Sequence, residues 1–406
     1  MGFSQALSGL NAASDNLNVV GNNIANSQTV GFKSSSVQFA DVYAGSKIGL
    51  GTKVSAILQD FSNGTLETTG RNLDLAISGD GFFRFVQNDQ VVYSRNGQLT
   101  VTAEGYLENA QGARLTGFPA GVGTGGQPVE LQVPAGALAA NATTAIEAGF
   151  NLDAGSTEQT AFKDGAGATL FNYNYANTAT VYDSQGNSHT ATMYFTKTGT
   201  NAWAVRTAID GELAQNIDIN GDAVPDGLGQ PQNLAFDSNG VLTTTAPLNF
   251  DFGDLGNGTA NLNITLNLDG TTQNGNPFEL SSLTQDGYTS GSLVGTVIDD
   301  NGNIIGNYSN EQSQVLGTIA LANFRNAEGL QPVGDNAWVE TGASGQPLLG
   351  LGGAGVFGSI ESGVVETSNV DLTKALVDLI IAQRNFQANS QTIKTQDEVL
   401  QGIVNL

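Results

Sequence analysis

Cysteine is absent from this chain, and histidine occurs once, at His189. The first absence removes disulfides, thiolate metal sites and cysteine nucleophiles together, and it leaves the redox compartment open. The second excludes a histidine-rich metal site. With Ser188 and Thr190 beside it on an alternating strand, and no catalytic partner suggested, His189 reads as a surface histidine. Basic residues are scarce too. Fourteen Lys and Arg stand against 38 Asp and Glu, a net charge of −24, which repels phosphate backbones and excludes nucleic acid as a partner. No basic residue precedes Lys33, so the N-terminus lacks the positive region of a cleaved secretory signal peptide. Ala6 stands where myristoylation requires Ser or Thr. No apolar run approaches the roughly 18 residues of a membrane span; LVDLIIA, Leu376 to Ala382, is among the longest. The expectation is a soluble chain without membrane insertion that, if exported, leaves by an unusual route.

What is present begins at the first residues. Phe3, Leu7, Leu10, Leu17 and Ile24 recur at alternating steps of four and three, with Ser14 and Gly21 in the gaps. A second stripe, Asn11, Asp15, Asn18, Asn22 and Asn26, runs beside this seam. The far end matches the near end. Leu372, Leu376, Leu379, Gln383, Phe386, Ser390, Ile393, Asp397, Leu400 and Val404 keep the same alternation. Ser368 or Asn369 is the expected N-cap, and Asp371 places an acid in the first turn. The spacing predicts a C-terminal helix of about 35 residues, ~50 Å long, and an N-terminal one of about 24, ~35 Å. Two readings are open. The plainer one is an intramolecular helical hairpin. The sharper one is packing against copies of the same chain in a polymer, with Leu7, Leu10, Leu17, Ile24, Leu372, Leu376, Leu379, Phe386, Ile393 and Leu400 as the interface. Polar interruptions make the seam a poor private core, and an Asn- and Gly-rich helix needs neighbours for stability. The amide stripe can bond to adjacent chains without burying charge.

Between the helices the text is β. Residues 31–75 hold short apolar alternations among small residues and read as an extended linker. From Leu73, LDLAISGDGFFRFV and DQVVYSRNGQLTV read as strands, with Asn96-Gly97 as a hairpin signal. Residues 146–284 differ in texture, with repeated Asx-Gly turns. They carry three basic residues against fifteen acids, a net −12 and half the chain's excess. That acidity suits a separate solvent-facing β domain. From Asp286 the earlier style returns. The fold class expected is mainly β with terminal α-helices. A helical polymerisation domain takes 1–30 plus 365–406, with the linker at 31–75. Nested on these are an inner β domain (76–145 plus 285–364) and an outer one (146–284).

LNVVGNNIANSQTVGFKSS and SNVDLTKALVDLIIAQRNFQANSQTIKTQDEVL resemble the terminal motifs of bacterial flagellar axial proteins. VQFADVYAGSKIGLGTKV, RNLDLAISGDGFFRF, YSRNGQLTV and IIGNYSNEQSQVLGTIALANFRNAEGLQPVGDNAWVET extend the likeness to the hook proteins of that rod and hook family, over roughly 1–145 and 285–406. The outer segment shares only TVYDSQGNSHTATMYF and the FDSNG turn, and Ala375 stands where hook proteins usually carry Glu. The resemblance implies a structural subunit that self-assembles into a curved tubular universal joint, carrying motor torque from rod to filament. It implies an extracellular place in the basal body–hook complex and export through the flagellar type III apparatus with an uncleaved N-terminus. The partners it implies are copies of the chain, rod and hook–filament junction proteins, and a hook cap. Phe3 and Leu7 (F-x-x-x-L) resemble the motif by which early substrates dock at the export gate. Alternatives are a distal rod-like subunit or a secreted surface adhesin.

Other signals carry less. Gly121/Gly123/Gly126 and Gly350/Gly352/Gly355 form G-x-G-x-x-G strings, but neither opens a helix. Asp218, Asn220, Asp222 and Asp226 have calcium-loop spacing, yet Ala223 replaces the required Gly and Gly229 the twelfth-position Glu. These residues read as a solvated acidic turn, and no cofactor is expected. Acids sit mostly in Asx-Gly turns, so the enzyme reading, a glycosidase with paired carboxylates, finds no anchor.

Overall fold

The structure, a computed structural model, describes residues 2–43, 49–123, 125–159, 162–163, 169–170, 172–214, 231–244, 247–255 and 258–404. Helices form at both ends, where the three-and-four spacing runs: α1 spans Gly2–Ala25 and α2 spans Leu372–Val404. The cap of α2 differs from the expected one. Asp371 Oδ1 accepts from the Thr373 and Lys374 amides at 2.8 and 3.1 Å, so Asp371 is itself the N-cap. Asn369, two residues further out, ties loops instead: it accepts from the Ser34 amide and donates to the Asp60 carbonyl.

The chain forms two compact units. One holds Met1–Ala135, Leu293–Asn307 and Ser313–Leu406; the other holds Gly136–Ser292 and Tyr308–Gln312. In the first unit the segment expected as a linker is extended but paired. Strands β1 (Ser35–Val42) and β2 (Gly51–Gln59) form an antiparallel hairpin, bulged between Gln38 and Phe39. The reason lies in the alternation, which lets one edge pair and one face lie against α1. Gln5 donates to the Gly49 carbonyl, Ser8 Oγ accepts from the Thr52 amide, and Asn23 exchanges two bonds with Ser35.

The same unit holds a 13-stranded sheet. Phe82–Gln87 and Gln90–Ser94 form a hairpin in it. Its turn is Asn88-Asp89, both at positive φ (49° and 61°), the conformation of a type I′ turn. Asn96-Gly97 is therefore not a hairpin tip. There the chain leaves one sheet for another, and Gly97 pairs with Leu75. A Cβ on Gly97 would sit 2.2 Å from the Leu75 carbonyl oxygen, so close strand approach explains the glycine. Leu75, Ile77, Phe83, Phe85, Leu115 and Ile319 fill one core cluster. Phe82, Tyr93, Phe324 and Trp338 form a second, with Phe61 edge-on to Phe82 and Trp338 at 5.5 and 5.4 Å. Trp338 Nε1 donates to Gln59 at 2.6 Å, tying the end of β2 to this cluster.

In the second unit, two five-stranded sheets share one core that includes Phe150, Met193, Phe195, Trp203 and Phe250. Its entry and exit segments lie side by side, through bridges Leu138 to Gly291 and Asn141 to Tyr288. His189 is more constrained than a surface residue. Nδ1 lies 2.7 Å from Asp210 Oδ2, and Nε2 lies 3.4 Å from Asp183 Oδ2. Burial alone would raise the Asp183 carboxyl. Bonds from the Asn187 side chain and backbone, the Gln185 backbone and His189 hold it well below the usual carboxylate range. Burial works to lower the His189 pKa, but the bonds to Asp210 and Asp183 outweigh it and the net direction is up. A raised imidazole pKa stabilises the fold fully below the unfolded value of about 6.5, and that stability is lost as pH rises through the folded value. His189 is the single histidine, so the melting temperature of this unit should fall as pH rises above about 6.5, and His189→Gln should flatten the dependence. Calorimetry across that range checks it; a flat wild-type profile would refute the role.

Candidate polymer interface on the terminal helices

A buried ionic cluster joins the segment that follows α1 to the segment that precedes α2. Lys33, Arg95 and Glu366 are each at most 2% exposed in their side chains. Lys33 Nζ lies 2.7 Å from Glu366 Oε1 and donates to the Ser62 carbonyl at 2.6 Å. Arg95 Nη1 lies 3.3 Å from Glu366 Oε2 and donates to Asn63 Oδ1. The Gly64 amide donates to Glu366 Oε1 at 2.7 Å. Burial pulls both cations below their ordinary pKa values, with Glu366 working against it. The backbone joins in: the Gly31 amide donates to the Glu366 carbonyl. Gly31 has φ +70°, and a Cβ there would lie 2.7 Å from the Asn96 nitrogen, so only glycine fits.

Beyond this anchor, α1 and α2 pack on each other within one chain, the plainer of the two sequence readings. They run antiparallel: Gly9 meets Asn389, while the groove flanked by Asn16 and Val20 is closed by Ala375 and Asp378. The stripe through Gly9 holds Ala6, Ala13 and Val20, all buried, opposite Ala375 and Ala382. A Cβ on Gly9 would come within 2.8 Å of Asn389 Oδ1. Small residues thus bring the backbones close. Ala375 is buried at this contact.

The large residues of the expected seam look elsewhere. Phe3 and Leu7 are 48% and 43% exposed, and Leu372, Leu376 and Leu400 are 40%, 49% and 56% exposed. Leu10, Leu17, Ile24, Leu379, Phe386 and Ile393 are half-buried. Asn11, Asp15, Asn18 and Asn22 are exposed, while Asn26 is half-buried and donates to Asn22. Sequence reasoning missed Val377, Ile380, Ile381 and Val399, all exposed by half or more. Their signal was the i, i+4 pairing of 376 with 380 and 377 with 381, which a search along one heptad line passes over. It also missed Phe39 and Ile57, about half exposed on the hairpin.

Asp218, Asn220, Asp222 and Asp226, the calcium-loop candidates, lie outside the described residues. Among the described residues no three His, Asp or Glu side chains gather as a metal group. No described helix is long and apolar enough to cross a membrane.

Comparison with known proteins decides what such a molecule is. Residues 4–33 match the flagella basal body rod protein family, and 361–406 match the flagellar basal body rod FlgEFG protein C-terminal family. Residues 76–148 match the flagellar hook protein FlgE/F/G D1 domain, and 151–288 the flagellar basal body protein FlaE D2 domain. The flagellar hook protein FlgE of Salmonella typhimurium is 47% identical over 414 residues, covering 100% of both chains. The chain belongs to the flagellar hook protein family. A hook protein of Borreliella burgdorferi is 33% identical, with 98% of each chain covered. The crystal structure of a Helicobacter pylori flagellar hook protein, FlgE2, has the same kind of fold, with TM-score 0.54, 15% identity, and 74% and 100% of the two chains covered. This hook family member is a structural subunit of the flagellum and not an enzyme.

Glu366→Ala leaves two buried cations uncompensated. It should cost about 3–5 kcal/mol, read from urea unfolding of the first unit. A loss below about 1 kcal/mol would show that the cluster does not anchor the helices.

Proposed function

We propose that this hook subunit polymerises through the apolar side chains left exposed on its paired terminal helices, forming the curved tube that carries torque from rod to filament. The observation that carries the reading is the division of faces. The small residues are consumed by the intramolecular contact, and Phe3, Leu7, Leu372, Leu376, Val377, Ile380, Ile381, Val399 and Leu400 remain in water. Exposed apolar residues in such number along paired helices mark an interaction site. Covering the exposed half of one leucine contributes about 1 kcal/mol, repeated at every subunit. Leu10, Leu17, Ile24, Leu379, Phe386 and Ile393, already half-covered, complete that interface. The other partners are rod and junction proteins and the hook cap.

The chain travels through the flagellar type III apparatus without a cleaved signal peptide. Phe3 and Leu7 dock it at the export gate before α1 is packed. Their exposure in the folded chain supports this second use, since they cost the hairpin little when engaged elsewhere.

Leu376→Asp should abolish polymerisation and motility while leaving the monomer's thermal transition in place, because Leu376 is 49% exposed before assembly. Normal tubes by electron microscopy would remove α2 from the interface. Replacing 146–284 with a short Gly/Ser linker should give a subunit that still polymerises but with altered curvature. Bridges such as Leu138 to Gly291 already hold the segments outside the cut together. Failure of that chain to assemble at all would overturn the nested arrangement of domains.

A further inference from the structure

Three consecutive residues of the loop after β2 close over the buried ionic cluster. The Ser62 carbonyl accepts from Lys33 Nζ at 2.6 Å, Asn63 Oδ1 accepts from Arg95 Nη1 at 3.1 Å, and the Gly64 amide donates to Glu366 Oε1 at 2.7 Å. The last two residues form an Asn-Gly step, whose glycine is dictated by packing. A Cβ on Gly64 would lie 1.9 Å from the Thr367 carbonyl oxygen. In such a step the glycine nitrogen can close a ring onto the asparagine Cγ, and no side chain hinders its approach.

What sets this step apart is the pair of groups that hold its reacting atoms. A buried carboxylate takes the N–H of the attacking nitrogen, and a buried guanidinium points at the oxygen where negative charge would gather. These are a proton acceptor and an oxyanion donor, both in place before reaction. Two other Asn-Gly steps lack the carboxylate: the Gly240 and Gly302 amides donate to the backbone carbonyls of Asp237 and Asp299.

We propose that Asn63-Gly64 is a self-modifying site, at which Asn63 passes through a succinimide to a carboxylate with Glu366 and Arg95 as catalytic groups. The Gly64 nitrogen bonds to Asn63 Cγ as its proton passes to Glu366 Oε1, and Arg95 holds the charge on Oδ1. The Cγ–Nδ2 bond then breaks, and the nitrogen leaves as ammonia with the proton from Glu366. Residue 63 is exposed, so water opens the ring to aspartate or its β-linked isomer. One ammonia is lost and one water gained. The charges favour the product, because two cations of the cluster share one carboxylate. Asp60 and Asp80 act on Lys33 and Arg95 at longer range, without an ion pair to either among the described residues. A second carboxylate beside Arg95 offsets the excess. The inference rests on the cluster and not on assembly.

Peptide mass mapping of the full chain, incubated folded at neutral pH, tests it. Conversion reads as loss of ammonia followed by gain of water. Asn63 should convert about tenfold or more faster than Asn239 and Asn301, and unfolding in urea should erase the lead. Glu366→Gln removes the proton acceptor, and Arg95→Lys keeps a cation without the forked donor. Each should remove most of the lead, and Arg95→Lys decides if Glu366→Gln does not fold. Asn63→Asp, fixed in the charge of the product, should melt no lower than wild type. Conversion at Asn63 no faster than at the two reference steps, or a lead that survives Arg95→Lys, would overturn the site. A lower melting temperature for Asn63→Asp would overturn the charge argument behind it.

Discussion

Glu366 is the point on which the first unit turns. Its carboxylate satisfies a lysine that follows α1, an arginine at the exit of a core hairpin, and a backbone amide in the loop after β2. Its carbonyl holds Gly31. Partners 333 and 271 residues apart in sequence are thereby fixed within one dry pocket. A buried charge is costly unless counter-charges and hydrogen bonds offset it; here Arg95 Nε alone of the cluster's buried polar side-chain atoms is left without a partner. The cluster therefore ties the segment after α1 to the segment before α2.

From that anchor the helices divide their surfaces by size. Alanine and glycine take the intramolecular face, because only small side chains let the backbones approach as closely as Gly9 and Asn389 do. Bulk is excluded from that face and so ends up outside. This gives the free chain a folded hairpin that is only partly satisfied. The heptad line, read as one seam, is split by this division: Phe3, Leu7, Leu372, Leu376 and Leu400 stay exposed, while Leu10, Leu17, Ile24, Leu379, Phe386 and Ile393 are half-covered within the chain.

The fold was legible where a local signal suffices. The lengths of both helices, the β character of the middle and the acidic 146–284 segment follow from period, turn residues and charge. The errors came where a tertiary contact decides. Asn96-Gly97 has hairpin chemistry, but Gly97 is there for the nearby Leu75 carbonyl, while Asn88-Asp89 makes the turn. Asn369 has capping chemistry but is spent on Ser34 and Asp60. The strands at 35–59 looked like a linker because their stabilising bonds go to Gln5, Ser8 and Asn23 on a helix. Of the apolar residues left exposed on α2, Leu376 and Leu400 were visible in the heptad line, whereas Val377, Ile380, Ile381 and Val399 were not. Exposure on the flanks of α2 depends on where α1 lies.

The side-by-side entry and exit of the second unit have a mechanical side. Leu138 with Gly291 and Asn141 with Tyr288 form a short antiparallel stem. Cross-strand bonds in such a stem lie perpendicular to the chains. A pull that spreads the two chains loads these bonds one after another, as in opening a zipper, whereas a pull along them loads all at once. The stem is therefore softer to spreading than to sliding.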